Sequence, residues 1–159
     1  MGTNEKASVL IVDDEEMVIT SVRAYLQLET DYEILGFTEP EQAIKHMEKN
    51  QVDIAVSDYL MPRISGIQFL GRAKQLQPEA SRVLLTGHAD KQSAIQAINE
   101  VGLYQYVEKP WENAQLLLII QNGIERAKLL RELREKVSEL DTAHSSLKNV
   151  QKRLLQAFL

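Results

Sequence analysis

SVLIVDD, residues 8–14, is four aliphatic residues after a serine, running straight into two acids. An aliphatic run without polar alternation reads as a short strand covered on both faces, as in the middle of a parallel sheet. Two further stretches share this form: DIAVS at 53–57, followed by Asp58, and SRVLL at 81–85, followed by Thr86. YEILG at 32–36 and LYQYV at 103–107 bring the number of predicted strands to five. Helical patterns fill the intervals, at roughly 15–28, 39–49, 65–76 and 90–99. Thr38, just before Glu39-Pro40-Glu41, reads as the start of the second helix, with proline in the first turn and Glu41 three residues on. Strand–helix alternation repeated five times predicts an α/β fold, a doubly wound parallel sheet with helices on both faces.

The chain has 159 residues, 44% apolar and 26% charged, with a net charge of −5. That length suits one domain plus an appendage. The charge is uneven: residues 1–110 carry 10 Lys/Arg against 17 Asp/Glu, a net of −7, and residues 111–159 carry 8 against 6, a net of +2. An acidic body disfavours direct nucleic-acid binding, which depends on neutralising phosphates. The longest apolar run, Leu116 to Ile120, is five residues, where a membrane span needs about 20. The start of the chain lacks the long apolar region of a secretory signal, and residues 1–6 are predicted to be disordered. Zero cysteines exclude disulfides, thiolate metal sites and a cysteine nucleophile. These features together predict a cytoplasmic location and no membrane partner.

Beyond Pro110 the character changes. From Trp111 to Leu159 there is no proline and one glycine, Gly123. Leu130, Val137, His144, Gln151 and Phe158 fall at one heptad seam position, with Leu133, Leu140, Leu147 and Leu154 at the other. Lys136 and Asp141 occupy g and following e positions, where a parallel homodimer would pair them across chains. The competing reading is a helix folded back on its own domain. It is disfavoured because residues 112–158 would make a rod of about 70 Å at ~1.5 Å per residue. His144 and Gln151 weaken the seam but can fix register. Trp111 is expected to pack on the body, and the heptads reach the last residue without a stop signal. A C-terminal effector domain is therefore expected in the natural protein.

Ligands of open α/β sheets bind beyond the carboxyl ends of the strands. Those ends carry Asp13 and Asp14, Asp58, Thr86 and Lys109. Each has an ordinary alternative: a helix cap for the first acids, a turn for Thr86, a solvated charge for Lys109. Three carboxylates in one cleft repel, so at neutral pH one protonates or a cation joins them. An all-oxygen donor set selects a hard cation such as Mg²⁺. A metal, a free carboxylate and a lysine also suit phosphoryl transfer, with an aspartate oxygen as nucleophile.

Taken together, VDDEE, DYLMP with Gly66 following, LTG at 85–87 and EKP at 108–110 resemble the response-regulator receiver domain of two-component signalling. The resemblance covers about 7–125, leaving 126–159 as the coiled-coil continuation of the last helix. It implies a flavodoxin-like strand order of 2-1-3-4-5 and Asp58 as acceptor of a phosphoryl group from a histidine kinase or phosphotransfer protein. It further implies Mg²⁺ held by Asp14, Asp58 and the backbone carbonyl of Leu60, with Asp13 acting through water. Thr86 and Lys109 would bind the phosphoryl oxygens. Tyr106 stands where the family keeps an aromatic switch; its plain alternative is half-buried strand packing. Pro110 matches a Lys-Pro step usually found cis.

Such a domain would be a signalling switch rather than an enzyme, beyond catalysing its own phosphotransfer and dephosphorylation. The rival readings are a phosphohydrolase with an aspartyl-phosphate intermediate and a degenerate receiver scaffold. The first wants a second acid two residues after the nucleophile, where Leu60 stands; the second is opposed by the intact acid set. Leu60 also offers no polar group to an attacking water, which leans towards slow dephosphorylation. His88 reads as a loop residue and His46 as a surface one. The three histidines are too scattered for a zinc site. No GxxxxGK[ST], GxGxxG or GxSxG motif occurs.

Overall fold

The computed structural model describes residues 6–87 and 90–158; His88 and residues 1–5 of the expected disordered N-terminus lie outside them. The elements run β1 (Ser8–Val12), α1 (Glu16–Glu29), β2 (Glu33–Phe37), α2 (Pro40–Lys49), β3 (Ile54–Asp58), α3 (Gly66–Leu76), β4 (Ser81–Thr86), α4 (Lys91–Val101), β5 (Gln105–Glu108) and α5 (Asn113–Phe158). All strand pairs are parallel and the order is β2-β1-β3-β4-β5, the doubly wound, flavodoxin-like topology expected. Two compact units result, Met1–Ala127 and Lys128–Leu159.

β1, β3 and β4 are buried at every position, as their largely aliphatic runs predict. Alternation along β1 sends Val9 and Ile11 into one core and Leu10 and Val12 into the other. The first core is closed by Ile19, Val22 and Leu26 of α1 and by Leu116, Ile120 and Ile124 of α5, with Trp111 packed against it as expected. The second is closed by Ala43 and Met47 of α2, Phe69, Leu70 and Ala73 of α3, and Ala94 of α4. Gly123 lets α5 lie close: a Cβ there would sit 2.6 Å from Ile54 Cδ1, and the Gly123 carbonyl accepts a 2.6 Å bond from Ser81 Oγ.

Several local expectations are corrected. Thr38 does not cap α2. Pro40 takes the first helical position, which makes Glu39 the cap residue, and no side chain caps it. β5 begins two residues later than predicted, because α4 runs on to Val101 and closes on Gly102 at φ 62°. Arg82, inside the run read as apolar, is 4% exposed and donates to the carbonyls of Pro78, Ala80, Val101 and Gly102, which ties β4 to the end of α4. His46 is half-buried, its ring 5.6 Å from that of Phe37.

Sequence reading also passed over a capping box at the start of α3. Ser65 Oγ accepts from Gln68 N at 3.2 Å, and Ser65 N donates to Gln68 Oε1 at 3.0 Å. The Ser-x-x-Gln spacing was available in the sequence. Ser65→Ala is expected to cost about 1 kcal/mol, read in urea unfolding as a lower midpoint at unchanged slope.

Candidate functional site at the carboxyl edge of the sheet

β1 ends at Val12 and delivers Asp13 and Asp14 to the sheet edge. Asp13 is held on both sides: its N–H donates to the Phe37 carbonyl at 3.1 Å, and its Oδ1 accepts from Glu15 N at 2.9 Å. Its side chain is fully buried, while Asp14 is exposed. Asp58 is the last residue of β3, one position further into the strand than predicted, and pairs in register with Leu85 of β4. Its carbonyl accepts from Ser57 Oγ at 3.0 Å. Thr86, the final residue of β4, is buried with its hydroxyl 3.5 Å from the Val107 carbonyl. Lys109 follows β5. Its N–H donates to the Thr86 carbonyl at 2.8 Å, and the Lys109-Pro110 peptide is cis.

These residues meet. Single carboxylate oxygens of Asp13, Asp14 and Asp58 all lie within 4.8 Å of one another. Lys109 Nζ donates to Asp58 Oδ1 at 2.9 Å and stands 3.7 Å from Asp13 Oδ2. One ammonium against three carboxylates leaves an excess of negative charge, and Asp13 Oδ2 is buried without a hydrogen bond. A hard cation fits this set, because the orphaned oxygen and the mutual repulsion both call for positive charge. Tyr106 of β5 is half-buried against the second core and lines a cleft of about 350 Å³ with Val107, Pro110, Trp111 and Ile119. The Leu60 side chain, in the loop after Asp58, is exposed. Sequence reasoning quoted Gly66 but missed its contact: its N–H donates to the Tyr59 carbonyl at 2.9 Å, and its α-carbon faces the Asp58 carbonyl.

The electrostatics follow from burial. The Asp13 carboxyl is pushed up from 3.8 to about 6, chiefly by burial; the Glu15 N–H opposes, Asp58 adds, Lys109 opposes and Asp14 adds. Burial pulls the Lys109 ammonium down, but its bond to Asp58 and the charges of Asp58, Asp13 and Glu15 outweigh that, and the net direction is up. Lys109 therefore stays charged throughout the range where Asp13 titrates. An acid whose folded pKa is raised binds its proton more tightly folded than unfolded. Its contribution to stability falls as pH rises from 3.8 to about 6, and the penalty persists above. In metal-free protein, Asp13→Asn is expected to raise Tm at pH 7.5 by several degrees more than at pH 4, worth roughly 2–3 kcal/mol at most. Mg²⁺ should narrow that gap in thermal melts of the wild type. An equal gain from Asp13→Asn at both pH values would contradict the assignment.

Comparison with known proteins agrees with this geometry. The family described as the response regulator receiver domain matches residues 9–121. The hydrogenase transcriptional regulatory protein HoxA of Bradyrhizobium diazoefficiens is 32% identical over 127 residues, which is 80% of this chain and 26% of that protein. The chain spans 26–29% of the first curated relatives it matches. Among solved structures, a response regulator receiver domain protein of Clostridium thermocellum superposes with a TM-score of 0.72 at 32% identity, covering 78% of this chain and 98% of that one. NtrX of Brucella abortus, solved in complex with ADP, superposes at 0.74 and 28% identity over 80% of this chain and 29% of its own. Among the described residues no helix is long and apolar enough to cross a membrane. By sequence, strand order and the residues gathered at the sheet edge, this chain belongs to the response regulator receiver domain family.

Proposed function

We propose that the chain is a phosphorylation-controlled switch in which Asp58 accepts a phosphoryl group from a histidine kinase or phosphotransfer protein in a Mg²⁺-dependent reaction. The observation that carries this reading is the 2.9 Å bond from Lys109 to Asp58 beside two further carboxylates. Asp14, Asp58 and the Leu60 carbonyl would hold the metal, with Asp13 acting through water. When bound, Mg²⁺ neutralises charge on the transferring group and relieves the repulsion among the three acids. An Asp58 oxygen forms the new bond to phosphorus as the bond from phosphorus to the donor nitrogen breaks. Lys109 then follows the charge from the carboxylate to the phosphoryl oxygens.

Thr86 carries the event onward. Its 3.5 Å contact with the Val107 carbonyl is long for a hydroxyl bond, so a phosphoryl oxygen is the better acceptor. Rotation of the hydroxyl inward vacates space beside β5, and the Tyr106 ring, already bordering a cleft, turns into it. The altered face of α4, β5 and α5 biases a homodimer formed by the coiled coil at 126–159, which connects the receiver at 7–125 to an output domain. Catalysis is confined to the chain's own phosphotransfer and dephosphorylation, in the cytoplasm. Light scattering of the full chain tests the coupling: with beryllofluoride and Mg²⁺ as the aspartyl-phosphate mimic, mass or dimerisation constant is expected to shift. An identical monomer in both states would contradict transmission through the dimer.

A further inference from the structure

The helix at 128–157 carries two overlapping seams rather than one. In the frame that begins Leu130, Leu133, Val137, Leu140, the core continues through His144, Leu147, Gln151 and Leu154. From Leu140 onward a second frame is open, with Leu140, Ala143, Leu147, Val150 and Leu154 at core spacing. The second frame replaces both polar core residues by apolar ones, and it needs a three-residue stammer at Leu140. Each frame thus has a cost: the first seats His144 and Gln151 in the core, and the second breaks continuity. Leu155 flanks the first frame and Val150 completes the second, so neither is plainly preferred. The stretch before Leu140 has no such choice, because the second frame would bury Lys136. Leu130 is half-buried, and the large apolar residues beyond it are exposed in the single chain, from Val137 at 48% to Leu140 at 70%. A second copy is the occupant this face fits, since in the first frame Lys136 and Asp141 oppose each other with complementary charge in a parallel pair.

We propose that the parallel homodimer has two registers below Leu140, related by a rotation of each helix of about 50°, and that the phosphorylation state of the receiver selects between them. This rests on the switch reading above, and it specifies what the coil does when the switch moves. Near-balanced packings are what a small bias can exchange.

The chain has no cysteine, so single substitutions report directly. Full-length Ala143→Cys, His144→Cys, Val150→Cys and Gln151→Cys would be oxidised mildly with and without beryllofluoride and Mg²⁺, beside Val137→Cys in the invariant stretch. Disulfide yields at 144 and 151 are expected to move against those at 143 and 150 by about threefold or more, with 137 unchanged. Yields that do not respond, or that favour one frame in both states while Val137→Cys cross-links well, overturn the two-register proposal and leave the dimer standing. A sedimentation monomer with no cross-link at 137 overturns the dimer and the proposal together. A sedimentation dimer without that cross-link excludes the parallel arrangement, and the proposal with it.

Discussion

Asp58→Asn should lose phosphoryl uptake by about 100-fold or more while keeping its fold, because the side chain changes charge without changing shape. A neutral amide oxygen is a poor nucleophile, and one of the three acids that make the site attractive to a cation disappears. Lys109 would still reach the side chain as a hydrogen-bond donor, its Nζ now 2.9 Å from Asp58 Oδ1, but without an ion pair at the reacting atom. The change also removes part of the repulsion among Asp13, Asp14 and Asp58, so the variant should melt at or slightly above the wild-type temperature in metal-free buffer. The combination is diagnostic: lost chemistry with retained or improved stability. Label at comparable yield in the variant would move the acceptor elsewhere.

Gly66→Ala is expected to be the most damaging single methyl in the receiver. The added Cβ would overlap the Asp58 carbonyl oxygen and lie 2.9 Å from its carbonyl carbon and 3.0 Å from Leu84 Cδ1. Two of these neighbours are backbone at the end of a fully buried strand, so the strain cannot be relieved by turning a flexible side chain. A cost of about 3 kcal/mol corresponds to roughly 10 °C in Tm. Whatever protein remains folded should also phosphorylate more slowly, since the relief available is to push Asp58 or the loop after it out of place. A melt within a degree or two of wild type would show that the approach of α3 to β3 is looser than described.

Much of this was legible in the sequence, for a definite reason. The apolar runs are short, and four of the five are followed directly by polar residues (Asp13, Asp58, Thr86 and Glu108), so those strand ends, and therefore the groups converging at one edge, could be read without knowing the packing. Asp13, Asp14, Asp58, Thr86 and Lys109 come from five positions in four strand-end segments, and parallel topology alone puts them together. What could not be read depends on backbone detail. The cap of α2 is Glu39 rather than Thr38 because proline's fixed φ sets where the helix starts. The start of β5 was misplaced because α4 runs on to Val101 and closes on Gly102, which puts the strand at Gln105–Glu108 rather than from Leu103. Arg82 sat inside a run read as apolar; it is buried because the carbonyls of Val101 and Gly102 at the end of α4, and of Pro78 and Ala80 ahead of β4, receive its donors. The raised pKa of Asp13, against its exposed neighbour Asp14, follows from burial that no spacing rule reveals.

The receiver is expected to carry a single phosphoryl acceptor whose chemistry depends on a divalent cation. Intact mass spectrometry of the wild-type chain after incubation with acetyl phosphate, in Mg²⁺ and in EDTA, followed by peptide mapping, tests it most directly. Addition of one phosphoryl group in Mg²⁺, none in EDTA, and a modified peptide containing Asp58 are expected. Equal modification in both buffers, or modification confined to peptides without Asp58, would contradict it.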